Sequence, residues 1–332
     1  MPWGQDGGAP FARAALALYD LPADSELKLV SLSENATFLV KPTGSDQYTG
    51  VMRIYRPNYQ TEGAKRSEIA WIEELRASGV VDTPAPIYTN LGSAIGEVEI
   101  DGDRRSCSMF EYIPGREFEG EDSETYELLG RISATLHLQV LDWEKPDYFE
   151  RMRWGLEDIL GEHAPWGDWR NGPNLSAEDR EVLEQVEQRI RERLADYDLN
   201  AENSNLVHGD MRAANVMKGE DGRLWLIDFD DAGFGWFLWD LCSTTLFIEH
   251  VPEIGDIVQS WLDGYTGIRE LRERDLAAIP DLVMMRRLHG LAWIGSHPES
   301  ALAQEQALVY PQGTVEIGRR YLRGEYLAGV GR

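Results

Sequence analysis

The sequence predicts a two-lobed α+β protein, with a small antiparallel sheet lobe that carries one main helix and a larger, mainly helical lobe. Three observations support this fold class. The chain has 332 residues, which is long for a single domain. Its first 113 residues show strand-like alternation around one helical segment, whereas the rest shows mostly helical spacing. We therefore predict a first lobe at 1–113 and a second lobe at 114–332, with Pro114-Gly115 at the boundary.

The first lobe contains short runs in which apolar and polar residues alternate, as in strands. Residues 27–40 and 48–56 have this pattern. Residues 65–79 have apolar side chains at helical spacing and end in a glycine, which predicts an amphipathic helix. Two further strand candidates follow at 93–100 and 107–113. The expected order is therefore β-β-α-β-β.

The second lobe is predicted to be helical around one irregular insertion. Residues 125–140 predict one amphipathic helix, 176–197 a charged helix with Ser176 as its N-cap, and the chain from 236 onward several helices. Residues 141–175 are rich in Trp, Pro and Gly and predict an irregular insertion. Its tryptophans either stack on a ring or a cationic group, or simply bury the loop: Trp143, Trp154, Trp166 and Trp169.

The charge balance of the chain disfavours some classes of binding partner. The chain has 58 acidic and 32 basic residues, for a net charge of −26. Such a surface repels nucleic acid and anionic membranes, because both attract clustered Lys and Arg. We therefore expect neither partner. Through its field, an acidic protein favours cationic small molecules, although global charge mainly determines solubility.

Cysteine content and hydropathy favour a cytoplasmic protein. The two cysteines, Cys107 and Cys242, lie far apart and do not form a Cys-x-x-Cys pair. A disulfide framework is therefore not expected. The first 25 residues lack the pattern of a signal peptide, and no apolar run reaches the roughly 18 residues of a membrane span. The sequence does not indicate an oligomeric state.

The chemistry is concentrated in residues 206–231, LVHGDMRAANVMKGEDGRLWLIDFDD. Asp210 follows His-Gly, Asn215 comes five residues later, and Asp228 ends an apolar strand after a Gly-Glu-Asp-Gly turn. Phosphoryl transfer requires a carboxylate to orient the acceptor hydroxyl, and a carboxylate and an amide to hold Mg²⁺ against the nucleotide phosphates. Each residue alone is an ordinary turn residue. Their joint order and spacing favour a phosphotransferase site.

On these residues the chain resembles the aminoglycoside phosphotransferase, type II homoserine kinase and choline kinase group, which has a protein-kinase-like fold. The resemblance covers most of the chain, and its clearest pieces are SENATFLV, VMRIYRP, SEIAWIEEL, FEYIPGR, LGRISATLH, HGDMRAANVM and IDFDDAGFGWFLWDL. It implies that Asp210 is the catalytic base and that Asn215 and Asp228 bind Mg²⁺. It also implies that Asp240 braces the catalytic loop, although a plain helix N-cap is the competing interpretation of this residue. We expect His208 to order the loop backbone rather than to move protons.

The same resemblance implies nucleotide-binding residues in the first lobe. The backbone of the hinge at 110–113, including Glu111 and Ile113, would contact the nucleotide base. Arg53 stands where the family has the phosphate-gripping Lys, and Glu68 is its best-matched helix partner. The chain has no G-x-G-x-x-G loop, so residues 31–38, with Ser33 and Asn35, would cover the phosphates. The alternative to a nucleotide-binding role is that Arg53 and Glu68 are ordinary charged residues on the protein surface.

The short segment after Asp228 favours a small acceptor. Asp240 follows Asp228 by only twelve positions, and no Ala-Pro-Glu motif occurs between them. A protein kinase uses a longer segment there as a platform for its peptide. We therefore expect ATP, or GTP, and Mg²⁺ to serve transfer to the hydroxyl of a small molecule such as an amino alcohol, a sugar or an aminoglycoside.

Other functions stay open at this stage. A protein Ser/Thr kinase of the bacterial stress-response type has a similar sequence around Tyr-Arg-Pro. A non-catalytic nucleotide sensor is suggested by Arg53 and by the missing glycine-rich loop. The sequence lacks the motifs of dinucleotide-binding oxidoreductases, serine hydrolases and zinc peptidases, so those classes are disfavoured.

Overall fold

The structure is a computed structural model that describes residues 7–33, 35–118, 120 and 122–331. Its strands, numbered in chain order, are β1 Glu26–Leu32, β2 Ala36–Lys41, β3 Gly50–Ile54, β4 Pro86–Ile87, β5 Gly96–Ile100, β6 Asp103–Glu111, β7 Gly115–Glu117, β8 Met152–Trp154, β9 Ser204–Val207, β10 Val216–Gly219, β11 Leu224–Leu226 and β12 Gly233–Trp236. Its α-helices are α1 Ala9–Ala15, α2 Glu62–Ser78, α3 Ser123–Asp142, α4 Leu156–Leu160, α5 Ala177–Leu194, α6 Trp239–Thr244, α7 Ile254–Thr266, α8 Glu273–Ser296, α9 Ala301–Gln306 and α10 Tyr310–Leu322.

The described chain divides into two compact units. The first comprises the described residues up to Glu117 together with Glu144–Arg151 and Val216–Asp230. The second comprises Phe118–Trp143, Met152–Asn215 and the described residues from Asp231 onward. The functional lobes at 1–113 and 114–332 remain a prediction. None of the described helices is both long enough and apolar enough to cross a membrane.

The first unit is built on an antiparallel sheet of order β1-β2-β3-β6-β4, with β5 paired to β6. Strand β2 buries every second residue, Ala36, Phe38 and Val40, and these pack with α1 on one face of the sheet. The predicted helix at 65–79 is confirmed as α2, which buries its apolar side chains. Thr61 caps its first turn, and Gly79 ends it with a φ of 67°. A second small sheet, β11-β10-β7, belongs to the same unit.

The second unit is mainly helical, with one small sheet in which β12 pairs with β8 and β9. The predicted helix at 176–197 is present as α5, and Ser176 forms a capping box with Asp179. The predicted insertion at 141–175 is more ordered than expected, because it contains β8 and α4. Its Trp154, Trp166 and Trp169 are buried, so these three rings pack inside the protein.

Helices α3 and α7 pack at close range through a pair of glycines. A Cβ added to Gly130 would lie 2.0 Å from the backbone oxygen of Trp261, and one added to Gly264 would lie 1.9 Å from that of Glu127. Each glycine therefore allows the other helix's backbone to approach. This packing matters for the site, because α3 and α7 carry His137 and Tyr265.

We expect Gly130→Ala to destabilise the protein by roughly 1–3 kcal/mol, because the clash with a backbone oxygen outweighs the better helix propensity of alanine. Gly255→Ala, in the first turn of α7, is the matched control, since a Cβ there would meet nothing within 4 Å. It should be neutral or slightly stabilising. Urea unfolding of both variants measures the difference. Equal effects of the two substitutions would contradict the packing argument.

Candidate active-site residues

Asp210 and Asn215 lie together on one loop of the second unit. The loop follows β9 and ends in a 3₁₀ turn at Ala213–Asn215. Asn215 is buried and donates from Nδ2 to Oδ2 of Asp210 at 2.8 Å and to its backbone oxygen at 2.7 Å. Nε of Arg212 lies 2.9 Å from the other carboxylate oxygen of Asp210. The two predicted residues therefore form one hydrogen-bonded pair.

The electrostatics of this loop keep Asp210 ionised. Burial opposes its charge most strongly, but the guanidinium groups of Arg212 and Arg286 outweigh burial, with smaller help from His208 and Asn215. The pKa of Asp210 is consequently lowered from its usual value. At neutral pH its carboxylate can accept a hydrogen bond from a hydroxyl.

The predicted brace, Asp240, holds the loop backbone directly. Its Oδ1 accepts from the N–H of Gly209 at 2.8 Å, and its Oδ2 accepts from the N–H of His208 at 3.1 Å. Gly209 has a φ of 82°, and a Cβ there would lie 2.3 Å from the backbone oxygen of Asp231, so the position requires glycine. His208 is fully buried, and its Nδ1 accepts from the N–H of Asp210 at 3.3 Å.

His137 on α3 completes this brace, and the sequence did not identify it. Its Nε2 lies 2.9 Å from Oδ2 of Asp240, and its Nδ1 lies 2.9 Å from the hydroxyl of Tyr265. Burial lowers the pKa of His137, so the ring is neutral. Because a carboxylate only accepts, Nε2 carries the proton and Nδ1 accepts from Tyr265. In the sequence, His137 is simply one polar residue on an amphipathic helix.

In the first unit, Arg53 on β3 joins three acidic side chains. It contacts Glu68 on α2 at 2.6 Å, Asp228 at 3.0 Å and Asp230 at 3.8 Å. Arg53, Glu68 and Asp230 are buried, whereas the side chain of Asp228 is 49% exposed. Burial raises the pKa of Asp230, and Arg53 offsets this only in part. The surface-charge interpretation of Arg53 and Glu68 is therefore wrong.

Asp228 lies in a strained turn next to a polar network. Its φ is 63°, which is uncommon outside glycine. Asn35 donates from Nδ2 to Oδ2 of Asp230 at 2.8 Å. The N–H of Ser33 donates to the backbone oxygen of Asn35 at 3.0 Å, which makes a tight turn between β1 and β2. Residue 34 of this predicted phosphate-covering segment lies outside the described residues.

Arg151 fixes the backbone beside Asp228, and no sequence signal pointed to it. Its guanidinium donates to the backbone oxygens of Ala64 at 2.8 Å and Phe229 at 3.0 Å, and also to that of Asp230. Gln60 donates to the oxygen of Asp230 as well, at 2.7 Å. The start of α2 and the Asp228–Asp230 turn are thus held together by one side chain from the predicted insertion.

The predicted hinge residues lie at the end of β6. The N–H of Glu111 donates to the backbone oxygen of Ala85 at 2.8 Å. Ile113 is buried, two residues after the end of this strand. The structure places both residues next to the segment that leads into β7, which begins at Gly115.

Comparisons with known proteins identify similar sequences and similar structures. A model of the phosphotransferase enzyme family matches residues 26–273. The structure of a microcompartment-associated aminopropanol kinase is 32% identical, covers 96% of this chain and 99% of its own, and has a TM-score of 0.87. An amicoumacin kinase in complex with AMP-PNP and Ca²⁺ is 19% identical, with coverage of 94% and 93% and a TM-score of 0.73.

One curated relative is named as a stress response kinase. Stress response kinase A of Salmonella paratyphi A is 24% identical over 84% of this chain and 80% of its own length. The neighbouring structures confirm the predicted α+β, protein-kinase-like fold. The family match confirms that the protein is a phosphotransferase. The chain belongs to the phosphotransferase enzyme family, whose model spans most of its length.

Proposed function

We propose that this protein transfers the γ-phosphoryl group of ATP, or of GTP, to a hydroxyl group of a small molecule. The observation that carries the proposal is the loop at 208–215, in which an ionised Asp210 is hydrogen-bonded to Asn215 and braced by Asp240. A carboxylate held in this way can orient a hydroxyl and accept its proton late in transfer. The carboxylate is ionised at neutral pH because neighbouring cations outweigh its burial.

Asn215 and Asp228 are the proposed Mg²⁺ ligands. The two side-chain hydrogen bonds of Asn215 to Asp210 use Nδ2, so its Oδ1 is the atom suited to a cation. Asp228 offers a half-exposed carboxylate. No described cluster of three or more His, Cys, Asp or Glu side chains is placed to hold a metal by itself. Mg²⁺ is commonly held by one or two carboxylates together with substrate phosphates, and the carboxylate of Asp228 is a ligand of the kind that this mode uses. When bound, the ion would neutralise phosphate charge.

Arg53 is the proposed clamp on the phosphates that are not transferred. Glu68 fixes its guanidinium at 2.6 Å, and the same group reaches Asp228 at 3.0 Å. A guanidinium can hold phosphate oxygens with two parallel N–H groups, as an ammonium cannot. Ser33 and Asn35 would cover the phosphates, and the backbone of Glu111 and Ile113 would contact the base.

A small acceptor is supported by both structure and relatives. Eleven residues lie between Asp228 and Asp240, and four of them form β12, which pairs with β8 and β9. This segment therefore leaves little room for a peptide platform. The aminopropanol kinase, at 32% identity, and the amicoumacin kinase are named for small molecules that contain hydroxyl groups. Amino alcohols, sugars and aminoglycosides are the acceptors we propose to test.

The second candidate function is protein kinase activity, which the likeness to stress response kinase A favours. The two functions differ in their acceptor. Nucleotide consumption with Mg²⁺ should be measured against a panel of amino alcohols, sugars and aminoglycosides, and against added protein. Phosphorylation of protein alone would replace our proposal, and nucleotide binding without any turnover would support a sensor.

We expect Asp210→Asn to lower kcat by about 10²–10⁴-fold, because the amide cannot accept the proton of the hydroxyl. Nucleotide affinity should change little, since Asp210 is not assigned to the nucleotide. Asp256→Asn, an exposed position on α7, is the control and should keep full activity. Steady-state kinetics with the best acceptor, together with nucleotide titration, separate the two effects. Retention of kcat in Asp210→Asn would exclude the proposed base.

We expect Arg53→Lys to weaken nucleotide binding even though the charge is kept. A lysine has one ammonium group, so it cannot contact Glu68 and Asp228 in the same bidentate way. Arg53→Met should be worse, and it should also destabilise the unit because it leaves Glu68 buried without its partner. Nucleotide affinity and urea unfolding test this order. Equal affinity of Arg53→Lys and the unmodified protein would contradict the clamp.

A further inference from the structure

One face of the short helix α6 lies against the loop that carries Asp210. Asp240, Ser243 and Thr244 are spaced i, i+3 and i+4 on this helix, so their side chains lie on the same side. All three residues are buried, with exposed fractions of 0%, 0% and 5%. The helix and the loop belong to the same compact unit. Polar side chains this deeply buried are expected to have hydrogen-bond partners, and the loop supplies them.

The carboxylate and the two hydroxyls of this face bind different groups of the loop backbone. A carboxylate only accepts, and Asp240 takes two N–H groups at the start of the loop. A hydroxyl also donates, and Oγ of Ser243 donates to the backbone oxygen of Gly209 at 2.6 Å. Oγ1 of Thr244 lies 2.7 Å from the backbone oxygen of Met211. The helix therefore holds both donors and acceptors of the loop.

The peptide between Gly209 and Asp210 relies on Ser243. Its N–H, which belongs to Asp210, donates to Nδ1 of His208 at 3.3 Å, which is long for such a bond. Its carbonyl, which belongs to Gly209, accepts the Ser243 hydroxyl at the shorter distance of 2.6 Å. The following peptide is held within the loop, because the oxygen of Asp210 accepts from the N–H of Arg212 at 2.9 Å. The peptide before Asp210 is thus the one that α6 restrains.

Glycine at position 209 makes this restraint necessary. The backbone oxygen of Asp231 leaves no room for a Cβ there, so the fold requires a residue without a side chain. Glycine is also the residue whose backbone rotates with the least steric resistance. Rotation of the Gly209–Asp210 peptide would turn its carbonyl away from α6 and would reorient the Asp210 side chain. A hydrogen bond to that carbonyl opposes the rotation.

We propose that the hydroxyl of Ser243 is a positioning group for phosphoryl transfer, because it holds the Gly209–Asp210 peptide in the orientation that presents the Asp210 carboxylate to the acceptor hydroxyl. This inference rests on the proposed function. Ser243 acts through the loop backbone rather than by touching the nucleotide or the acceptor. Loss of its hydroxyl should therefore lower kcat without weakening nucleotide binding.

Thr244 is expected to contribute less than Ser243. Its single hydroxyl proton is shared between two acceptors, the oxygen of Met211 at 2.7 Å and that of Asp240, one helical turn earlier, at 2.9 Å. The second acceptor satisfies the hydroxyl without the loop. In addition, the carbonyl of Met211 belongs to a peptide that does not include Asp210.

Substitutions at Ser243 test its positioning role. Ser243→Ala removes the hydroxyl, and Ser243→Cys fills the space with a group that donates only weakly. We expect both to lower kcat by roughly 3- to 10-fold, the range that follows from the loss of one neutral hydrogen bond, with nucleotide affinity unchanged. Thr244→Val should have the smaller effect. Steady-state kinetics with the best acceptor and nucleotide titration measure the two quantities separately.

Ser133→Ala is the matched control. Ser133 is also fully buried on a helix of the same unit, but its hydroxyl donates to the oxygen of Leu129 within its own helix. Its removal should leave kcat unchanged. Urea unfolding identifies any variant that is not folded at the assay temperature. If Ser243→Ala is not folded, Ser243→Cys carries the test, because it leaves no cavity.

Hydrogen exchange measures the orientation of the peptide independently of turnover. In the unmodified protein the Asp210 amide donates to His208, and rotation of the peptide would break this bond. Mass spectrometry of fragments that contain Asp210 should therefore show faster exchange in Ser243→Ala and Ser243→Cys than in Ser133→Ala.

The outcomes separate this inference from the function on which it rests. Unchanged kcat in folded Ser243→Ala, or a fall in kcat without faster exchange, would overturn the positioning role and leave the phosphotransferase proposal intact. A fall in kcat that Ser133→Ala shares would show a general structural effect and would overturn it as well. If the unmodified protein phosphorylates no small hydroxyl compound, the proposed acceptor class is refuted, and exchange at Asp210 then decides whether Ser243 holds the peptide.

Discussion

The carboxylate of Asp240 is the interaction on which the loop at 208–215 depends. It accepts the N–H groups of Gly209 and His208, and it receives the Nε2 proton of His137. Without it, two buried backbone donors would lose their partners, at a cost comparable to much of a domain's net stability. The conformation of this loop is therefore determined by a residue on α6 and by the packing of α3 against α7. Catalytic geometry in this unit is a consequence of helix packing.

In the first unit, neighbouring side chains likewise hold one charged group in place, but there the central group is a cation. There one guanidinium, Arg53, is surrounded by Glu68, Asp228 and Asp230, so the carboxylates outnumber the cation. The excess negative charge is tolerable because Asp228 is half exposed and because burial favours the protonated form of Asp230. One guanidinium is therefore shared among three carboxylates, whereas in the second unit Arg212 and Arg286 outweigh the burial of a single carboxylate, that of Asp210.

The site residues that the sequence predicted lie in short, recognisable motifs. Asp210 and Asn215 are five residues apart, and their order and spacing marked them as candidate site residues; the structure has them hydrogen-bonded on one loop. The pairing of Arg53 with Glu68 was implied by the family resemblance, and the ion pair is present. The overall fold could be predicted because strand and helix periodicities differ clearly along the chain.

The residues that the sequence could not identify act over long separations. Arg151 contacts Ala64 and Phe229 across 87 and 78 residues, and His137 contacts Asp240 across 103. Nothing in the local pattern distinguishes such residues from surface arginines or core histidines. Their roles depend on which carbonyl or carboxylate the fold brings within 3 Å, and that is known only once the chain is folded.

The same distinction applies to charge. A net charge of −26 suggests a cationic substrate, because the whole-chain field attracts cations. That field is screened over about 8–10 Å in physiological salt, whereas a buried guanidinium acts in a low dielectric at contact distance. Arg286 is 1% exposed, and together with Arg212 it keeps the carboxylate of Asp210 ionised although burial opposes that charge. The charge state of Asp210 is therefore determined by neighbouring side chains, and the composition of the surface is a poor guide to it.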